Sequence, residues 1–173
     1  IRDRVLEFAA DFHTIACYVS VKKEPPTLEL IEALYQQGKR LLVPKLGSRL
    51  NRDWAYYAGR DDLANRSPNR PMEPSGDALD SSALAAVDLV ITPALAVDRQ
   101  GNRLGQGGGW YDRALPYVKK QTPIYALCYT HELQRELILP TDQYDIPVTG
   151  VLTPSCCFKL AGSEFQKSGI LPT

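Results

Sequence analysis

The run Gly101-Asn102-Arg103-Leu104-Gly105-Gln106-Gly107-Gly108-Gly109-Trp110-Tyr111-Asp112-Arg113 gathers residues suited to gripping phosphate. Four glycines within five positions, Gly105 and Gly107 to Gly109, remove the Cβ atoms that would hold an anion away from backbone N–H groups. A helix predicted to begin at Trp110 adds unpaired N–H donors and a partial positive charge. Arg103 and Arg113 flank the loop and can give forked, charge-assisted hydrogen bonds to phosphate oxygens. Asp112, just inside the helix, is placed to hold a magnesium ion bridging those oxygens. The chemistry is that of a nucleoside triphosphate site. No Gly-Lys-Ser/Thr follows, so this is not a Walker loop. Nor is it a dinucleotide fingerprint, since Trp110 stands where a motif opening at Gly105 needs its third glycine. A bare loop tip is also rich in glycine, but it seldom carries a Trp, a Tyr, an Asp and two Arg.

Other reactive side chains read more plainly. His13 and His131 lie far apart and form neither a metal pair nor a triad spacing, so both read as structural. Ser155 lacks the Gly-x-Ser-x-Gly elbow of a hydrolase. Cys17, Cys128, Cys156 and Cys157 show neither the CxxC spacing of a zinc site nor the density of a disulfide scaffold. They suit a reducing cytoplasm. Taken alone, Asp145 is a turn carboxylate and Glu24 a helix-entry charge before Pro25-Pro26. Trp110 and Tyr111 could equally be core anchors, and Lys22-Lys23 a solvated pair.

Positioning the glycine run requires a scaffold, and the sequence supplies one. Residues 14–20 read as a buried strand rich in β-branched and aromatic side chains. Thr27 can cap a helix in which Leu28, Ile31, Leu34 and Tyr35 recur at helical spacing before Gly38. Residues 39–44 form a second strand, which completes a strand–helix–strand unit of about 30 residues. Further strands are predicted over 53–58, 88–93, 123–128 and 148–153, and helices over 110–119 and 133–137. Residues 59–80 read as a surface excursion, which a compact domain tolerates best when it packs or serves a site. The final dozen residues look frayed. The fold class is α/β, with a three-layer, largely parallel sheet flanked by helices.

The 173 residues suit a single domain over 1–173. Lys plus Arg number 20 and Asp plus Glu 20, so no net basic field exists to hold a nucleic acid or an anionic membrane. No apolar run approaches the roughly 20 residues of a membrane span, and no signal-peptide pattern opens the chain.

The glycine run closely resembles the hallmark of the 5-formyltetrahydrofolate cyclo-ligase family, also called 5,10-methenyltetrahydrofolate synthetases. Asp88-Leu89-Val90-Ile91-Thr92-Pro93 with residues 94–98, Tyr144-Asp145-Ile146-Pro147 and Val151-Leu152-Thr153-Pro154 are similar to other segments of that family. So are Tyr18-Val19-Ser20, Glu24 and Thr27, so that the resemblance spans residues 14–154. It implies a NagB/RpiA/CoA-transferase-like fold and the ATP-dependent conversion of 5-formyltetrahydrofolate to 5,10-methenyltetrahydrofolate. By position, Arg103, Leu104, Gly105, Gln106, Gly107, Gly108, Gly109, Trp110 and Tyr111 would line ATP, with residues 106–110 also approaching the folate. Val19 and Glu24 would face the folate, Glu24 accepting hydrogen bonds from pterin N–H groups. Asp112 and Asp145 would ligate Mg²⁺, and Lys22-Lys23 could attract a polyglutamate tail.

Two departures from the family pattern stand out. The family's basic N-terminal helix has no clear counterpart, since Arg2 and Arg4 stand close to the first strand. Where some relatives carry a basic loop residue, this chain has Gly108, which would shift phosphate load to Arg113. The expected protein is a monomeric cytoplasmic enzyme acting on small molecules, with no nucleic-acid or membrane partner. The alternatives are a non-catalytic folate or nucleotide binder and a sugar-phosphate isomerase or CoA-transferase relative.

Overall fold

The computed structural model describes residues 1–21, 23–47, 51–66, 70–161 and 164–170. Lys22, named above, lies outside them. The parallel centre of the main sheet comprises β1 (Thr14–Cys17), β2 (Arg40–Leu46), β4 (Leu89–Pro93), β7 (Ile124–Leu127) and β9 (Gly150–Leu152). β1, β7 and β9 are buried along their whole length, as parallel strands covered on both faces must be. Antiparallel strands close both edges: β3 (Arg52–Tyr56) beside β2, and the hairpin of β10 (Cys156–Ala161) and β11 (Glu164–Ile170) beside β9. The resulting order is β11-β10-β9-β7-β4-β1-β2-β3. Of the final dozen residues, 164–170 are therefore strand rather than frayed chain, because Cys157 and Phe158 bury against β9 and Phe158 meets Phe165 edge-on at 6.0 Å; residues 162–163 and 171–173 lie outside the described residues. A second small sheet pairs β5 (Ala96–Asp98) with β6 (Arg103–Leu104) and with β8 (Leu133–Gln134). The predicted helix over 133–137 is instead a 3₁₀ turn (Thr130–Glu132) leading into β8.

From β1 the chain crosses through α2 (Leu28–Gln36) to β2 on one side. From β4 it crosses through α3 (Trp110–Ala114) to β7 on the other. Right-handed crossovers in opposite directions place α2 and α3 on opposite faces, which makes three layers. They also leave a crevice beyond the C-terminal ends of β1 and β4, the switch point where ligands bind in such sheets. α1 (Arg2–Phe8) packs on α2 and lays Phe8 against Tyr125 at 4.6 Å between ring centroids. It is a helix at the chain's front, but neither of its arginines reaches the crevice. Arg4 donates to the Pro154 carbonyl, and Arg2 pairs with Asp3 and Glu29.

Three local devices aim the crevice walls. Thr27 precedes α2 without capping it; its hydroxyl donates to the Tyr18 carbonyl at 2.7 Å and accepts from the Ser20 N–H at 2.9 Å. That clasp fixes the exit of β1. α3 stops at Ala114, short of the predicted Lys119, because Pro116 has no N–H to continue the ladder and forces a 3₁₀ turn (Leu115–Tyr117). Finally, the excursion after β3 is pinned back onto the sheet. Ala64 and Glu73 exchange backbone hydrogen bonds at 3.0 Å, Trp54 and Leu79 do so at 2.7 Å, and Lys45 Nζ donates to the Pro74 and Ser75 carbonyls at 3.0 Å.

Candidate active site

Two adjoining crevices open at the switch point. The first, about 310 Å³, is lined by residues 103–112 together with Glu24, Pro93, Ala94, Leu95, Pro140 and Asp145. The second, about 240 Å³, is lined by Tyr18, Val19, Val21, Pro44, Leu46, Arg70, Pro71 and Glu73. Glu24, Pro93, Gln106, Trp110 and Tyr111 line both and form the wall between them. In that wall Gln106 Nε2 donates to Glu24 Oε1 at 2.7 Å, while the Val21 N–H donates to Glu24 Oε2 at 2.8 Å. Burial pushes the Glu24 carboxyl above its ordinary value, and these two hydrogen bonds pull part of the way back.

The glycine loop runs from β6 into α3. Gly107 and Gly109 have φ of +80° and +61°, the left-handed region that side chains avoid. A Cβ on Gly107 or Gly108 would meet no protein atom within 4 Å and would project into open space, so the loop leaves its backbone accessible. α3 is too short to supply a strong dipole, so loop N–H groups and Arg103 carry the positive potential.

Arg103 is held on two sides. Its guanidinium pairs with Asp112 Oδ1 and lies 5.5 Å from the Tyr111 ring centroid. Its side chain is only 6% exposed, and its Nε has no hydrogen-bond partner. Trp110 Nε1 and the Tyr111 hydroxyl are likewise buried and unpartnered. Burial drives the Tyr111 phenol well above its ordinary value, which keeps it a protonated donor. Arg103, Trp110 and Tyr111 thus put three donor-bearing side chains along the wall of the first crevice.

Asp112 and Asp145 line the same crevice. Asp112 Oδ2 has no hydrogen-bond partner among the described residues, while Asp145 Oδ2 accepts from the Asp142 N–H at 2.9 Å. Among the described residues no group of three or more His, Cys, Asp or Glu gathers for a metal. Two carboxylates suit Mg²⁺ when phosphate oxygens and water complete the shell, so the donor set fits the ion. Arg113 stands apart. Tyr111 and Ala114 turn into the core, which rotates Arg113 outward, exposed and away from both crevices.

Composition and spacing do not reveal every residue here. Asp98, fully buried, accepts from the Gln100 and Asn102 N–H groups, the Asn102 amide and the Leu139 N–H, joining the β5–β6 hairpin to the segment carrying Pro140. Its acidic-residue-then-glycine turn was the available signal. Glu73 and Arg70 enter the second crevice from the excursion, where nothing in the sequence separates them from surface charges.

The comparisons with known proteins agree with this geometry. The family model described as the 5-formyltetrahydrofolate cyclo-ligase family matches residues 1–154. The chain belongs to that family. The 5-formyltetrahydrofolate cyclo-ligase of Escherichia coli K12 is 38% identical over 153 residues, covering 83% of this chain and 79% of that protein. The enzyme of the same name from Mycolicibacterium smegmatis is 34% identical over 146 residues, covering 82% and 73%. Among solved structures, the 5,10-methenyltetrahydrofolate synthetase of Aquifex aeolicus superposes with a TM-score of 0.72 at 26% identity, over 92% of this chain and 80% of that one. Membership and superposition fix the α/β class with its mostly parallel sheet. Among the described residues no helix is long and apolar enough to cross a membrane.

Proposed function

We infer that this chain is an ATP-dependent 5-formyltetrahydrofolate cyclo-ligase, forming 5,10-methenyltetrahydrofolate while ATP becomes ADP and phosphate. The observation that carries this reading is the shared wall: two crevices at the sheet's switch point meet across Glu24, Gln106 and Trp110. A phosphoryl donor and its acceptor must meet in that way.

A formamide carbon is a poor electrophile because the nitrogen lone pair is delocalised into the carbonyl. The formyl oxygen attacks the γ-phosphorus and ADP leaves, so that the oxygen becomes part of a leaving group. The N10 lone pair then closes the five-membered ring on the formyl carbon, N10 loses its proton, and phosphate departs with the formyl oxygen. Alignment and charge neutralisation dominate such a reaction, and no side-chain nucleophile is needed.

The triphosphate lies in the first crevice, against the N–H groups of residues 105–109. Arg103, held by Asp112 Oδ1, lines this crevice and supplies the guanidinium charge that faces the transferring group. Asp112 through Oδ2, with Asp145, would hold Mg²⁺, whose chemistry when bound is to neutralise charge on the phosphate oxygens. The folate occupies the second crevice, with Val19 as an apolar wall and Glu24 accepting pterin N–H bonds. Tyr111, kept protonated, donates at the boundary. Cys17 and Cys128, unpaired and with thiols pushed up to about 12 by burial, suit a reducing cytoplasm. The enzyme works there as a monomer.

Mixing the protein with 5-formyltetrahydrofolate, ATP and Mg²⁺ tests the reading. A near-ultraviolet rise from the methenyl product that needs both ATP and metal, and that disappears with EDTA, supports it. Tight folate binding without turnover would favour a non-catalytic binder, and indifference to folate would favour the isomerase or CoA-transferase alternative.

A further inference from the structure

Glu73 is a carboxylate with no visible reason to be buried. It is 6% exposed, yet its side chain makes no hydrogen bond or ion pair among the described residues. It lines the second crevice. Arg70, on the exposed rim of that crevice, is not within ion-pair distance of it. The Glu73 oxygens are not among the solvent-excluded atoms, so the carboxylate has free acceptor capacity that a ligand in the crevice can use.

The backbone around Glu73 is fixed rather than floppy. Its own N–H and C=O pair with Ala64, and the next two carbonyls are captured by Lys45. Asp62 accepts from the Ser75 N–H at 3.1 Å. Glu73 is thus held at the crevice wall by a stapled segment, the setting of a recognition group. Glu24, by contrast, has already committed one oxygen to Val21 and the other to Gln106. Glu73 retains its full acceptor capacity.

We propose that Glu73 is a specificity-determining residue of the folate crevice, accepting a hydrogen bond from the exocyclic 2-amino group of the reduced pterin. That amino group carries two N–H bonds. One shares an edge with the ring N3–H and serves Glu24; the other points away from that edge and serves Glu73. The segment carrying Arg70, Pro71 and Glu73 is then a substrate-selecting wall of that crevice. This assignment rests on the cyclo-ligase reading.

The experiment compares wild type with Glu73→Met and Glu73→Gln on 5-formyltetrahydrofolate and on its analogue with methyl in place of the 2-amino group, at saturating ATP and Mg²⁺. Wild type should favour the amino substrate by roughly 100-fold or more in kcat/KM, because the analogue leaves a buried carboxylate unpaired. Glu73→Met should raise the folate KM at least about tenfold, leave the KM for ATP unchanged and cut the discrimination about tenfold or more. Its Tm should stay close to that of wild type, since no protein hydrogen bond to the carboxylate is lost. Glu73→Gln, matched in shape but neutral, should fall between the two. Unchanged folate KM and discrimination in both variants would overturn the assignment. So would a loss of Tm with both KM values rising together, or a Glu73→Met protein that cannot fold while Glu73→Gln keeps full discrimination, because those mark a structural role. A wild type that turns over while the variants match it defeats this assignment alone; a wild type without turnover defeats the cyclo-ligase reading with it.

Discussion

Arg103 combines three features in one side chain: it pairs with Asp112, lies over the Tyr111 ring and lines the first crevice. Arg103→Ala should lower kcat by roughly 100- to 1,000-fold, the usual cost of removing a transition-state donor, and steady-state kinetics would show it. A loss below about tenfold would move phosphate stabilisation to another group. Glu24 adds a pH signature. Burial raises its folded pKa above the unfolded value, so between those two values the folded state holds more protons. Stability therefore falls as pH rises through that window, just above the ordinary carboxylate range. Glu24→Gln should remove this slope: its Tm at neutral pH should match or exceed wild type, while folate affinity drops. Thermal melts at pH 4 and pH 7 with folate titrations would check both. The glycine run exposed Arg103 and Asp112 as candidates, because charged residues around four glycines have few other uses. Their mutual ion pair was not legible, since it depends on α3 folding back over β6. Arg113 looked equivalent to Arg103 in the sequence, and only the rotation of α3 separates them. Glu73 was illegible for a simpler reason: what distinguishes it is burial, and a Glu in a Pro-, Ser- and Asp-rich stretch reads as a surface charge.

The elements divide glycines into those that serve shape and those that serve space. Gly101 has φ of +88°, and a Cβ there would sit 2.5 Å from the Val148 carbonyl oxygen. Gly101→Ala should cost about 2 kcal/mol or more in a denaturant titration, through strain and clash together. Gly108 has no neighbour within 4 Å of its would-be Cβ and no positive φ. Gly108→Ala should change stability by no more than about 0.5 kcal/mol yet raise the KM for ATP, because the methyl group fills the crevice. Destabilisation without an effect on ATP would mean that residue 108 is packed in the fold and not exposed to ligand. The buried parallel strands were readable as apolar β-branched runs, and α2 as a period of apolar residues ending at a glycine. β5, β6 and β8 were not, since strands of two or three residues are too short for any period to emerge. The reach of α3 was overestimated because apolar spacing continued past Pro116, where the proline's missing N–H decides the outcome.

At the scale of the molecule, opposed crossovers create one switch point, and both crevices open there. A ligand that binds only the folded state stabilises it by about 2.7 kcal/mol at 100 times its Kd. ATP with Mg²⁺ and 5-formyltetrahydrofolate should therefore each raise the Tm separately. ATP should lose most of its effect in Asp112→Asn, and folate should keep its effect there. Differential scanning fluorimetry would separate the two crevices in this way, and a common loss would mean that they are one site. The α/β class was legible because the strand–helix–strand unit over residues 14–44 dictates a parallel sheet; the partition of its upper edge into two crevices was not, because it rests on the Glu24–Gln106 contact between residues far apart in sequence. The central chemical claim is that the formyl oxygen is phosphorylated in a crevice shared by both substrates. It is tested by turning over 5-formyltetrahydrofolate labelled with ¹⁸O in the formyl group and weighing the released phosphate. Each phosphate formed should contain one ¹⁸O atom, whereas label recovered in water or formate with unlabelled phosphate would contradict the transfer.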